Sequence, residues 1–336
     1  MISSILQFLQ AKGSGEALLR RFLLFAAING KNAAKSLCTS INNLSNELKI
    51  NNDVASNIVN SASEAFFLHE SLYKDNINVA WIGSDVYPHH LVATLKYDAP
   101  PVLFFKGCNK LFDNMGVGFC GSRKASEKGL LITRRCVELL VDKKICVTSG
   151  YAHGVDMAAH KTALKNGGKT IFVLVEGIMR FQHKREIAEF LSDDNYLAVS
   201  QFPPNLTWSA RNAMKRNGTI IGLSDAMILV ESGITGGTFA AGKETLQRGQ
   251  PLFVIDYAAP GPSAEANPNF IKNGGIPIRG NSDGIPNLEK IFDITNQSRR
   301  NDINTKDLFT KHQSIKYLQK HEILLKSRNK LITRDT

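Results

Sequence analysis

Four short runs of this chain carry residue types that hold phosphate. Gly121-Ser122-Arg123 and Ser149-Gly150 each close an apolar, strand-like segment, and Lys215-Arg216-Asn217 and Gly236-Gly237-Thr238 follow further on. Glycine lets backbone N–H groups approach an anion, and a helix starting just after such a turn points the positive end of its dipole at it. Arg123, Lys215 and Arg216 add fixed charge. Ser122, Ser149, Asn217 and Thr238 add hydrogen-bond donors. No nucleophile stands beside a base in this set, so the chemistry it suits is anion binding, and no catalytic residue is assigned. Two carboxylates define the competing chemistry: Glu231 ends an apolar strand, and Glu244 lies one turn beyond Ala241 on the helix that follows Thr238. A hydrolase that releases a base from a nucleotide needs such a group beside the sugar.

Three other patterns are set aside on position. Gly116, Gly118 and Gly121 spell G-x-G-x-x-G, but the first two fall inside a strand, where a dinucleotide fingerprint needs them in the turn. Gly167-Gly168-Lys169-Thr170 has the end of a phosphate-loop motif, yet Ala163 replaces its first glycine and the run leads into a strand. His153, Asp156 and His160 are close enough in sequence for a metal or a triad, but no H-E-x-x-H or G-x-S-x-G accompanies them. Asp156 is therefore read as a helix cap and His160 as a packed, hydrogen-bonded histidine. No metal and no cofactor is expected.

These runs sit in a chain of 336 residues that alternates strand and helix from Met115 onward. Apolar runs at Val117–Cys120, Ile145–Thr148, Ile171–Val175, Leu197–Ser200, Met227–Val230 and Leu252–Ile255 belong to a mostly parallel, doubly wound α/β sheet with both faces covered. Residues 1–80 read as an N-terminal domain of short helices. Lys12-Gly13-Ser14-Gly15 separates two of them, as in a helix-hairpin-helix or SAM-like module, with a plain helical hairpin as the simpler reading. Residues 81–114 form a connector with a strand at Val102–Phe105, residues 115–290 the α/β domain, and 291–336 a basic tail. From Gln297 on there are ten Lys/Arg against four Asp/Glu, +6 of the formal net charge of +11. Such a tail is expected to touch nucleic acid without supporting the fold, unless Leu308, Leu318, Leu324 and Leu325 pack on the core. Five cysteines with no C-x-x-C pair suit reduced thiols in a cytoplasmic protein, and the apolar stretch at 22–28 is too short for a membrane span.

Gly121-Ser122-Arg123 with Ser126, Ser149-Gly150 with Gly154-Val155-Asp156 and Ala159-His160, and then Gly167-Gly168-Lys169-Thr170 resemble the DprA/Smf family of DNA-processing proteins. Tyr87-Pro88, Pro100-Pro101, Gln201-Phe202-Pro203, Arg216-Asn217, Gly222-Leu223-Ser224-Asp225 and Gly236-Gly237-Thr238 continue the resemblance in order, over roughly residues 80 to 280. It implies a Rossmann-like domain that binds single-stranded DNA in a basic phosphate pocket, as a homodimer, and hands the strand to a RecA-type recombinase. The family's F-P-x-R-N-R departs here to Ala213-Met214-Lys215-Arg216-Asn217-Gly218, which weighs against full transformation-type DNA loading and resembles a divergent subgroup serving in mobile-element or phage-defence contexts, there beside a toxin-type partner protein. The alternative is a nucleotide sensor or phosphoribohydrolase of the Lonely Guy-like superfamily, whose P-G-G-x-G-T-x-x-E is similar to the run around Gly236-Gly237-Thr238.

Overall fold

A computed structural model describes residues 1–114, 116–305, 314–320 and 322. The chain divides into two compact units, one built on residues 1–87 and 101–103 and the other on 88–100 and 104–304. The described C-terminal residues 314–320 and 322 belong to the first.

The first unit begins with six helices, α1 (Ile2–Gln10), α2 (Glu16–Asn29), α3 (Lys31–Leu37), α4 (Ile41–Leu48), α5 (Asn52–Asn60) and α6 (Ala62–Lys74). Their apolar stripes make its core: Ile5, Leu6 and Phe8 of α1 and Leu19, Phe22 and Leu23 of α2 are buried, and Phe8 stacks on Phe22 with centroids 4.4 Å apart. Ser40 and Asn51 accept the N–H groups of Asn43 and Val54 and so start α4 and α5, satisfying donors that have no helical partner. A strand, β1 (Asn78–Trp81), follows where composition suggested only the end of the helices. The C-terminal stretch expected to touch nucleic acid without supporting the fold is helical at 314–320, with Leu318 and Ser314 buried. Tyr317 takes a hydrogen bond from Arg20 at 3.4 Å. The rest of that stretch, including Leu308, Leu324 and Leu325, lies outside the described residues.

The second unit opens with α7 (His89–Leu95) and β2 (Val102–Gly107), the strand that runs on from the first. It then alternates: β3 (Gly116–Cys120), α8 (Glu127–Asp142), β4 (Cys146–Ser149), α9 (Val155–Lys165), β5 (Thr170–Val173) and β6 (Tyr196–Ser200). The second half holds α10 (Ala210–Gly222), β7 (Ala226–Leu229), α11 (Gly237–Gln247), β8 (Leu252–Ile255), α12 (Asn267–Lys272), β9 (Ile276–Ile278) and α13 (Glu289–Thr305). The sheet order is β1-β2-β6-β5-β4-β3-β7-β8-β9. Neighbours from β6 to β9 along this order are parallel, and β2 pairs antiparallel on β6.

β3 through β6 build outward in one direction, and α10 then carries the chain back across so that β7 pairs on the other side of β3. The winding reverses between β3 and β7, and in open parallel sheets ligands bind in the crevice at the carboxyl ends of such strands. Both faces are packed. Val117 and Phe119 share one core with Val137 and Leu140 of α8, Ala159 of α9 and Ile291 of α13, so the ordered core runs past residue 290. On the other face Gly118 leaves room for the Met227 sulfur, and Gly242 lets α11 approach Leu229 and Phe270.

Candidate functional site

The loops after β3, β4 and β7 meet at the switch point. The first two are interlocked by their glycines: a side chain at Gly121 would strike Val155, and one at Gly154, which holds φ +77°, would strike the carbonyl of Ser122. Val155 N–H donates to that same carbonyl at 3.3 Å. α8 starts at Ser126, whose Oγ accepts the Gly129 N–H. α11 starts at Gly236, which has φ +95° and no side-chain cap. Nothing stands within 4 Å of where side chains at Gly233, Gly236 or Gly237 would begin, so the first turn of α11 is open to an incoming group.

These loops and α10 enclose a cavity of about 810 Å³, bordered by Gly121, Ser122, Arg123, Asp156, Arg216, Asn217, Gly236, Gly237 and Thr238, among others. Arg123 is exposed on its rim. Arg216 is buried beneath it, 7% exposed, and gives Nη1 to the Val173 carbonyl at 3.2 Å, while its Nε has no protein partner. Burial pulls the Arg216 guanidinium below the usual arginine value, the Asp156 carboxylate opposes that, and Arg123 adds to it. A buried guanidinium that keeps a free donor is suited to an anion that arrives from outside. Asn217 donates Nδ2 to the Gly237 carbonyl at 3.3 Å and so ties α10 to the start of α11.

Of the remaining residues expected at the site, Asp156 borders the cavity, whereas Ser149, Gly150, His160 and Lys215 do not. Ser149 is fully buried, with Oγ 2.8 Å from both Asp156 Oδ1 and the Phe119 carbonyl. Gly150 makes space for Arg216 and Asp156. Asp156 also takes the Ala152 N–H at 3.3 Å, inside the first turn of α9. His160 is buried, its Nε2 2.5 Å from the Gly150 carbonyl and its Nδ1 2.6 Å from Thr170 Oγ1. A carbonyl can only accept, so Nε2 carries the proton. Burial lowers the His160 pKa to about 4 and keeps the ring neutral. Lys215 is exposed on α10 but does not border the cavity, because Ala213, Met214, Arg216 and Asn217 occupy the positions that do.

Both carboxylates that could serve hydrolysis are engaged. Glu231 is buried, with Oε2 taking the Ser126 N–H at 2.8 Å and Oε1 taking the Ser126 and Tyr257 hydroxyls at 2.5 and 3.3 Å. It holds the start of α8. Glu244 pairs with Arg248, which also reaches Asp98, and a side chain begun at Gly218 would stand 3.2 Å from the Glu244 carboxylate.

Sequence reasoning missed Lys184, Tyr151 and Trp208. They border a smaller cavity of about 230 Å³ that shares Arg123, Ala152, Trp208 and Arg216 with the larger one. Lys184 gives Nζ to the Tyr151 carbonyl at 2.8 Å and sits 4.6 Å from the centre of the Tyr151 ring. The one available signal was its place in the loop after β5, on the same sheet edge as the glycine turns.

A mostly parallel open sheet with glycine turns, two arginines and an uncapped helix start at its switch point defines a Rossmann-like α/β domain whose crevice is suited to an anion. The chain belongs to the DNA recombination-mediator protein A family, whose model matches residues 78–289. It is 31% identical over 220 residues to protein Smf of Escherichia coli K12, covering 65% of this chain and 58% of that one. With DNA processing protein DprA of Streptococcus pneumoniae it shares 32% identity over 176 residues, 52% of this chain and 61% of that one. The match thus spans about three fifths of each relative's length. The fold is similar to the X-ray structure of DNA processing protein A from Streptococcus pneumoniae, with TM-score 0.66, 24% identity, and 82% of this chain and 94% of that one covered. It is also similar to DNA processing protein A from Helicobacter pylori, whose structure addresses a single-stranded DNA binding mode, with TM-score 0.53, 21% identity and coverage of 67% and 96%.

Proposed function

We propose that this chain binds single-stranded DNA by its phosphates in the crevice between β3 and β7, as a binding protein of DNA processing and recombination. The observation that carries the reading is the convergence of Arg123, the buried Arg216 with its free Nε, and the open first turn of α11 on one cavity. All three attract anions, and a net charge of +11 favours a polyanion over a single phosphate. Glu231 and Glu244 are held by Ser126, Tyr257 and Arg248, which favours binding over base release. The same reading takes the bound strand to be passed to a RecA-type recombinase, by a homodimer, as the family resemblance implies.

Binding of a labelled single strand, competed by the same strand, its duplex and a nucleoside monophosphate, tests the proposal. The single strand competes best, the duplex less well, the mononucleotide least, and no base is released from it. Equal competition by the mononucleotide, or base release, would favour the nucleotide enzyme instead.

A further inference from the structure

The cavity has a feature that phosphate binding does not use. Among the described residues, the large apolar side chains exposed on the α/β unit are Leu131, Trp208, Met214, Ile234 and Ile285, and three of these five border this one cavity. Trp208 is 52% exposed, Met214 46% and Ile234 60%. An apolar collar around a cavity that holds Arg123 and Arg216, with Asp156 and Glu231 also in its wall, matches a ligand that alternates apolar faces with negative charges. Single-stranded nucleic acid has that alternation, whereas in a duplex the base faces are already stacked on one another.

Trp208 stands at the centre of the arrangement. It borders both cavities, in each case together with Arg123 and Arg216. Its backbone is held on either side. Leu206 takes the Gly177 N–H at 2.8 Å, Pro204 takes the Met179 N–H at 3.0 Å and Asn205 takes Arg180 Nε at 3.0 Å. Directly after it, Ser209 caps α10 by accepting the Asn212 N–H at 3.1 Å. An aromatic ring carried on an anchored backbone loses little freedom when a base stacks on it.

We propose that Trp208 is the platform on which an unpaired base stacks while Arg123 and Arg216 hold the neighbouring phosphates, and that it sets the preference for unpaired strands. The inference rests on the nucleic-acid reading above.

The test uses the full chain, oligothymidylate, and an abasic strand of the same length, which keeps the phosphates and lacks the bases. The protein binds oligothymidylate more tightly than the abasic strand by about tenfold, the weight of one base–aromatic stack. Trp208→Ala removes that difference by weakening oligothymidylate alone, and Trp208→Phe restores most of it. Trp81 and Trp208 are the two tryptophans of the chain. In Trp81→Phe, oligothymidylate therefore quenches the remaining fluorescence and the abasic strand does not. If Trp208→Ala leaves the ratio of the two affinities unchanged, the stacking role is overturned while DNA binding stands. Failure of both strands to bind would overturn the nucleic-acid reading and this inference with it.

Discussion

The guanidinium of Arg216 and the carboxylate of Asp156 share the space above Gly150 that any other residue's side chain would fill. The glycine after β4 is thus needed for an approach between two side chains, and the charge it accommodates is the one buried beneath the cavity. Gly150→Ala forces the guanidinium aside. It destabilises the protein by about 1–3 kcal/mol, as overpacking does, and it weakens binding of single-stranded DNA by the folded fraction. Urea unfolding and anisotropy measure the two effects, and an alanine variant with full stability and affinity would refute this placement of Arg216.

Arg123 and Arg216 are separable by the property each one moves. Arg123 is exposed, so Arg123→Ala leaves the unfolding midpoint unchanged, weakens DNA binding by about 1–3 kcal/mol and makes the salt dependence shallower by about one unit. Arg216 is buried beside Asp156. Arg216→Ala therefore costs stability as well, about 3 kcal/mol, because it leaves a buried carboxylate without its opposing charge. A variant of Arg216 that loses stability but binds normally would assign it a structural role alone.

Glu231 and Glu244 divide in the same way. Glu231→Gln disturbs the contacts to the Ser126 N–H, the Ser126 hydroxyl and Tyr257, and it lowers stability by about 1–3 kcal/mol with DNA affinity unchanged. Glu244→Gln removes a partly exposed pair with Arg248 and costs less than about 1 kcal/mol. The parent protein and both variants are expected to release no base from a nucleoside monophosphate, which chromatography of the products checks. Release that vanishes in either variant, with ligand binding retained, would make this protein an enzyme.

His160 gives stability a pH dependence. Burial lowers its pKa from 6.5 to about 4, so between those values the unfolded chain binds more protons than the folded one. Stability contributed by the neutral ring is full above 6.5 and is lost as pH falls toward 4, by an amount on the order of 3 kcal/mol. In His160→Gln the slope of unfolding free energy against pH flattens over this window. An unchanged slope would mean that another group titrates there.

Much of the sheet is legible in the sequence because strands buried on both faces are continuous apolar runs. Leu252–Ile255 is read to the residue, and the runs at Val117, Ile145, Ile171, Leu197 and Met227 fall within two residues of the strand ends. The edges are harder. β9 has three residues, one of them Pro277, and β1 has four that begin with exposed Asn78, so neither makes a run long enough to stand out. At the site, glycine spacing exposes Gly121, Gly150 and Gly236, since each stands in the turn that follows an apolar strand run. The partners of those glycines are distant in sequence. Arg216 above Gly150, Glu231 on Ser126 and Trp208 beside Arg123 become visible only when the fold brings them together. The helix at 314–320 is hidden by composition, because buried Leu318 lies among exposed Lys316, Gln319 and Lys320.

The central claim is that phosphates of an unpaired strand are held at the switch point, and the salt dependence of binding tests it most directly. With about four phosphates neutralised, the logarithm of the association constant for single-stranded DNA falls against the logarithm of salt concentration with a slope of roughly −3. The duplex binds more weakly at every salt concentration. A flat response to salt, or equal affinity for the duplex, would contradict the account.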